Sequence, residues 1–430
     1  MDLATTTHLT EKQQRMGMRL VYLGQSLGPI LFQLLMKSAF GVLLIKYLGG
    51  TDFQAMLLGS LVLLPRILQI PVSLIIPPSA GKRFMLYCWL GNGVSVTAAL
   101  GMTFLHIDAE TKVVLILVFV GIGAAAGMAG STFWFPLLHD LVPDNERGRF
   151  FGKMRTAWSS TTFLAIMIIG VFLGKNPQLW RFQVVLAVAI ALFFARIFFI
   201  ARLPEGRSMV ANNDYANWKH YIRQILARRE VLIFCGYFSL LVWCAGFLNT
   251  PLVLYMRHMG FVVRENMIIF GFSMLGQILS LLIAGTLADR IGTKRVFAAA
   301  HIVLCTVSFF VVGIGWLPPG TAGYLMPIAM IISGGMAAMA GIACVTQLFH
   351  LAPDRGRAFF MSFAMILMTA GAALSPIVAG FICQSVAETW STSFYGIDFD
   401  IFQVMLSAAG VGMLILLILL FFVEDIRLEN

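Results

Sequence analysis

Residues 128–149 read MAGSTFWFPLLHDLVPDNERGR, and residues 339–357 read MAGIACVTQLFHLAPDRGR. The opening Met-Ala-Gly and the histidines His139 and His350 are related by one offset, 211 positions. With one residue deleted the Pro-Asp element also corresponds, and with three deleted in all so does Arg-Gly-Arg. The same offset relates Lys46 to Arg257, Gly49 to Gly260 and Gly81 to Gly292. A single spacing kept at several separated places marks an internal duplication and divides the chain into two halves of like plan.

Each half is built of apolar stretches. Of 430 residues 59% are hydrophobic and only 12% charged, with a mean hydropathy of +0.87, far from the composition of a soluble domain. A helix needs roughly 20 mostly apolar residues to cross ~30 Å of hydrocarbon. Such stretches lie near 22–48, 53–77, 84–106, 113–139, 155–174, 180–202, 231–256, 265–288, 296–317, 322–349, 358–384 and 401–423. Alternating β patterns are absent, and backbone groups in lipid must be satisfied within helices or closed barrels, so the spans are expected to be helical. The expectation is an all-α membrane protein of about 12 transmembrane helices, arranged as two pseudo-symmetric six-helix bundles. An axis along the membrane normal relates the bundles, because both begin on the same side. The expected divisions are a polar N-terminus (1–20), a first bundle (21–202), a linker (203–230), a second bundle (231–423) and a short tail (424–430).

The net charge of +10 could suggest a polyanion partner, but the cations are distributed by topology. Only Lys46, Lys112, Lys175, Arg181, Arg257 and Arg264 fall on the side opposite the termini, three cations lie inside spans, and the remainder share the terminal side. The positive-inside rule then places both termini in the cytoplasm. Membrane lipids are expected partners and nucleic acid is not. The basic, polar start MDLATTTHLTEKQQRMGMRL shows no separate apolar core or cleavage site, so no cleaved signal peptide is expected. Short loops without an Asn-x-Ser/Thr sequon are compatible with a bacterial inner membrane. In the linker, Trp218, Ile222, Ile225 and Leu226 recur at helical spacing among cations, which predicts an amphipathic helix at the membrane surface.

Between the eighth and ninth spans the chain reads GTLADRIGTKR (285–295). Gly285, Asp289, Arg290, Gly292, Lys294 and Arg295 match the loop signature Gly-x-x-x-Asp-Arg-x-Gly-x-(Lys/Arg)-(Lys/Arg), and with this motif the whole chain resembles the major facilitator superfamily. The first-half counterpart, SLIIPPSAGKR, keeps Gly81, Lys82 and Arg83 but has Pro78 where the acid belongs. A carboxylate at Asp289 faces the negative dipole end of its own helix and is better placed at another helix's N-terminus. The resemblance implies a cytoplasmic latch in which Asp289 reaches the start of helix five, near Arg147 and Arg149. Arg290, Arg355 and Arg357 then pair with acids or lipid headgroups. The alternative is a tight basic turn that only enforces topology.

Ionisable groups inside a span are costly, about 2.5–3.5 kcal/mol for a central Arg, and so are candidates for function. Arg66, between Pro65 and Pro71, has Gln69 near it on the same face; Lys37 follows Gln33 by one turn; the repeat places Gln277 at the position of Arg66. The resemblance implies that helices one, two, seven and eight bring these groups to a central cavity. There Arg66 offers a planar fork to an oxyanion, with Trp243, Asn249, Trp134 and Trp158 as further lining candidates. Alternatively, Arg66 is held by backbone carbonyls freed around the prolines and Lys37 snorkels outward. Gly121, Gly123, Gly127, Gly130, Gly334, Gly335 and Gly341 read as sites of close helix contact.

The six cysteines fall inside spans without CxxC or Cys-His spacing, so no metal, no cofactor and no disulfide framework is expected. Catalytic groups do not converge, and the chain does not read as an enzyme. No acid lies deep in a span, and the chain departs from the pattern of the family it resembles in lacking an Arg in helix four and the Gly-Pro of drug-proton antiporters in helix five, which disfavours proton-driven drug export. The expected function is secondary transport of a small-molecule solute by alternating access, the chain acting as a monomer. An anionic solute suits the buried cations, and a neutral sugar or nucleoside suits the Gln and Trp content. A third possibility is a transporter-like sensor that binds a solute without moving it.

Overall fold

The computed structural model describes residues 9–36, 38–143, 146–204, 218–283, 287, 290–353, 357–386, 390–394 and 396–423. Among these the chain is helical apart from one hairpin. The helices are α1 (Glu11–Leu27), α2 (Pro29–Met36), α3 (Ala39–Tyr47), α4 (Asp52–Leu63), α5 (Gln69–Ile75), α6 (Gly81–Met102), α7 (Ala109–Ser131), α8 (Trp134–Leu141), α9 (Arg147–Leu173) and α10 (Leu179–Ala201). The second half holds α11 (Trp218–Ala227), α12 (Arg229–Gly246), α13 (Thr250–His258), α14 (Val263–Leu281), α15 (Thr293–Ile314), α16 (Pro319–Leu351), α17 (Arg357–Ser385), the antiparallel pair β1 (Ser391–Phe394) and β2 (Ile397–Asp400), and α18 (Ile401–Leu420). Among the described residues ten helical spans are long and apolar enough to cross a membrane, and the bent pair Glu11–Leu35 and Ala39–Tyr47, inclined at 47°, makes an eleventh if taken as one span. The eighth expected span corresponds to α14, shorter at 19 residues and opening with Arg264 and Glu265.

Local chemistry moves several boundaries. The first helix begins at Glu11, within the segment read as a polar N-terminus, because Thr10 and Gln13 form a capping box that satisfies its first N–H groups. Thr51 and Gln54 repeat this at the start of α4, where Lys46 and Asp52 form a 2.7 Å ion pair across the turn. Pro65 brings no N–H to an i−4 hydrogen bond, and Leu64–Leu68 form a 3-10 turn joining α4 to α5, with Leu64 still in the αR region. The linker helix is present as α11, its Ile225 buried against the core of the second half and Leu226 half exposed.

The duplication is visible in packing and in turns. In the first half α6 packs on α7 and α10, α4 on α7, and α1 on α9 and α10; in the second half α15 packs on α16 and α18, α14 on α16, and α12 on α17 and α18. Each contact has its counterpart. Gly49 and Gly260 occupy equivalent turns with φ of 89° and 87°, a region that only glycine enters freely. The halves meet through a symmetric pair of contacts, α4 with α17 and α9 with α14.

Consecutive spans alternate in direction. The face carrying Glu11, Arg202, Arg229 and the end of α18 is called the terminal face, and that carrying Tyr47, Asp52, His258 and Val263 the opposite face. The buried apolar residues form two clusters. One runs through the first half and crosses at the opposite face into Leu252–Met256, Met267–Met274 and Phe402–Met413. The other contains only second-half residues nearer the terminal face, such as Phe234, Phe297, Leu348 and Phe360. The halves thus share one core at the opposite face and keep separate cores toward the terminal face, where Ile70 of α5 packs on the second cluster.

Candidate solute-binding site

Counted along the chain, four of the expected ligands lie about equally far from the opposite face. Arg66 is 14 residues beyond Asp52, Gln33 14 before Tyr47, Gln277 14 beyond Val263 and Trp243 15 before His258. At 1.5 Å per residue an unbroken helix would carry each about 21 Å inward on four different spans, less where the first bends by 47°. Trp158 of α9, 15 residues before Leu173, joins the same level.

Their polar atoms are largely unspoken for. Arg66 is half-buried on the 3-10 turn and, among the described residues, has no hydrogen bond or ion pair, so the freed carbonyls around Pro65 and Pro71 do not hold it. Gln33 is buried with Oε1 unpaired, and the indole nitrogens of Trp158 and Trp243 are likewise buried without an acceptor. Gln277 is half-buried. Two others are engaged. Gln69 Nε2 donates to the carbonyl of Met128 at 3.4 Å, linking α5 to α7. Asn249 is exposed, donates to the carbonyl of Ala245 at 3.1 Å, and sits where α12 breaks into α13, nearer the opposite face. Lys37 lies outside the described residues.

Arg196, a cation inside a span to which the sequence reading gave no role, is the clearest omission. Its guanidinium carbon stands 4.0 Å from the ring centroid of Trp89 and 5.8 Å from that of Trp134. Its methylenes cross Gly28, where any Cβ would collide with them. Aromatic faces, and no acid among the described residues, stabilise this charge. In the second half, Tyr237 Oη and His301 Nε2 lie 2.7 Å apart, both fully buried. His301 corresponds to Trp89 after the one-residue shift that also relates Lys82 to Lys294. An Arg within FFARIFF and a His within AAAHIVL break apolar runs and could have been flagged as intramembrane polar groups. Their partners, more than 60 positions away, could not.

Of the signature loop, Gly292 has φ 87° as the residue preceding α15, whereas Gly81 opens α6 without a positive φ, close against the ring of Phe133. The weaker first-half motif therefore has a different backbone. Arg149 and Arg290 are exposed. Gly285, Asp289 and Arg355, with the side chains of Arg147 and Arg357, lie outside the described residues. The expected glycine contacts divide. Gly123 and Gly127 receive the Asn92 side chain, Gly130 faces Cys88, and Gly334 and Gly335 lie against α14, but a Cβ on Gly121 would meet only Leu61 at 3.6 Å and one on Gly341 nothing within 4 Å. The cysteines are free thiols, Cys88 half-buried and the other five buried. Among the described residues no cluster of His, Cys, Asp and Glu could hold a metal ion.

No curated protein sequence matches the chain. Among solved structures it is similar to the nucleoside transporter NupG, solved as a point mutant, at 15% identity over 94% of this chain and 99% of that one, with a TM-score of 0.68. It is also similar to the inward-open xylose transporter XylE from E. coli, at 12% identity over 96% of each chain (TM-score 0.65). A D-xylose-proton symporter aligns at 13% identity over 97% of this chain and 98% of that one (TM-score 0.64). Likeness at these identities establishes the fold. The Major Facilitator Superfamily family model matches residues 16–317 and 246–429, which together span nearly the whole chain. With the duplicated helix plan and the signature at Gly292, Lys294 and Arg295, this match shows that the chain belongs to the major facilitator superfamily.

Proposed function

We propose that this protein moves a small polar solute across the membrane by alternating access and that the structure corresponds to the state open toward the terminal face, which is the cytoplasmic one by the distribution of cations. The observation that carries this reading is the shared apolar core at the opposite face against separate cores at the terminal face. A solute entering from the terminal face meets Arg66, Gln33, Gln277, Trp158 and Trp243 at one level. Rocking the halves about that level exposes it to the other side.

An anionic group on the solute suits Arg66 best, since a half-buried guanidinium without a described partner has a fork of donors to offer. A second reading, a neutral sugar or nucleoside, is supported by the unpaired Gln33 Oε1 and the two indole N–H groups, which suit hydroxyls and ring faces. The signature loop completes the cycle in this proposal: Asp289 latches the halves when the terminal face closes. Asp289→Asn is then expected to raise the labelling rate of thiols engineered into that face, and an unchanged rate would remove the latch.

The test is accumulation in proteoliposomes offered, in turn, radiolabelled succinate, phosphate, uridine and xylose. Transport predicts saturable uptake of one class, lost in Arg66→Gln if that class is anionic. A solute that binds the purified protein without accumulating would make the chain a sensor instead.

A further inference from the structure

A groove of about 660 Å³ opens at the opposite face where the halves meet, between the starts of α14 and α16. Its mouth carries Lys175 from the first half and Arg264 from the second. Both are exposed, and among the described residues neither has an acid or hydrogen-bond partner for its side chain. Among the described residues the one carboxylate at the mouth, Glu265, accepts the N–H of Val262 at 3.0 Å, which leaves an excess of positive charge there. Below the mouth the lining turns apolar. Phe272 lies nine residues past Val263 along α14 and Pro327 seven past Gly320 along α16, depths of about 10–13 Å. Tyr324, 81% exposed, flanks the groove.

Cations at the membrane edge, an amphipathic aromatic beside them and an apolar trough running inward make the polarity profile of a phospholipid. We propose that this groove is a specific site for an anionic phospholipid of the leaflet at the opposite face. Its phosphate sits between Lys175 and Arg264 and one acyl chain lies along Ile268 and Phe272. The seam between the halves passes directly beneath: the N–H of Arg264 donates to the carbonyl of Gly174 at 3.0 Å, and Gly170 lies against Met267 and Ile268. A lipid held by one cation from each half stabilises the closed seam, so the site favours the state open to the terminal face.

The experiment compares thermal unfolding of delipidated protein in detergent after addition of phosphatidylglycerol, phosphatidylcholine of the same acyl chains, or inorganic phosphate. The site predicts that phosphatidylglycerol raises Tm by about 3 °C or more, with little response to the other two. Lys175→Gln with Arg264→Gln should abolish the difference while leaving the backbone seam intact. Gly323→Leu separately tests the trough. A Cβ there meets only Phe261 at 3.9 Å, so the backbone admits a side chain at this position, and leucine reaching into the groove should remove the response with both cations present. Equal effects of the two lipids, full reproduction by phosphate alone, or an undiminished response in either variant would each overturn the proposal.

Discussion

Lys82 Nζ donates to the carbonyl of Leu203 at 2.6 Å, fastening the start of α6 to the end of α10, and Lys294 Nζ reaches the carbonyl of Phe421 at 3.0 Å just beyond α18. Both halves thus use the lysine of their third-span turn to hold a carbonyl at the terminal-face end of their sixth span. Such carbonyls lack intrahelical partners and sit at the negative end of the helix dipole. Lys82 is buried, so Lys82→Met should lower stability by about 1.5–3 kcal/mol. Lys294, at an exposed contact, should lose about 0.5–1 kcal/mol on the same change. Thermal unfolding of both variants in one detergent checks the order.

Backbone meets backbone where α14 crosses α16. A Cβ on Gly276 would strike the carbonyl oxygen of Ile331, and one on Gly334 the carbonyl oxygen of Ser273. Neither neighbour is a flexible side-chain tip. Gly276→Ala and Gly334→Ala should each destabilise by about 1–3 kcal/mol. Gly341→Ala, with open space around it, should match or exceed the parent. Equal Tm values for all three would contradict the packing described.

At the opposite face a Cβ on Gly170 would stand 3.1 Å from the Cβ of Met267, across the seam between the halves. Disulfides need about 3.5–4.5 Å, so a small adjustment permits a bond between cysteines placed there. Gly170→Cys with Met267→Cys should cross-link under oxidant, verified by mass spectrometry, and reduce solute accumulation by tenfold or more. Reductant should restore it. Full transport by the cross-linked protein would mean that this seam does not open.

Much of this fold was legible because membrane helices announce themselves by length and apolarity, and because Gly49 and Gly260 mark the same obligatory turn in both halves. The repeat offset relates Arg66 to Gln277 across the halves, but it does not point to Gln33, whose counterpart is Cys244. The start of the first helix was missed because the Thr10–Gln13 capping box is a local polar device outside the apolar pattern. Pro65 was recognised, but the 3-10 turn at Leu64–Leu68 also depends on how α4 and α5 pack. Arg196 found its partners Trp89 and Trp134 only through tertiary structure, since neither sequence spacing nor helix periodicity relates them.

If Arg66 faces the solute, ligand-induced stabilisation of purified protein, parent beside Arg66→Gln, should reveal it. A ligand at 100 times its dissociation constant stabilises by about 2.7 kcal/mol, well within reach of a thermal scan. Across small carboxylates, phosphates, sugars and nucleosides, an anion is expected to stabilise the parent and leave Arg66→Gln unmoved. Equal stabilisation of both proteins by a neutral compound, with no response to any anion, would contradict it.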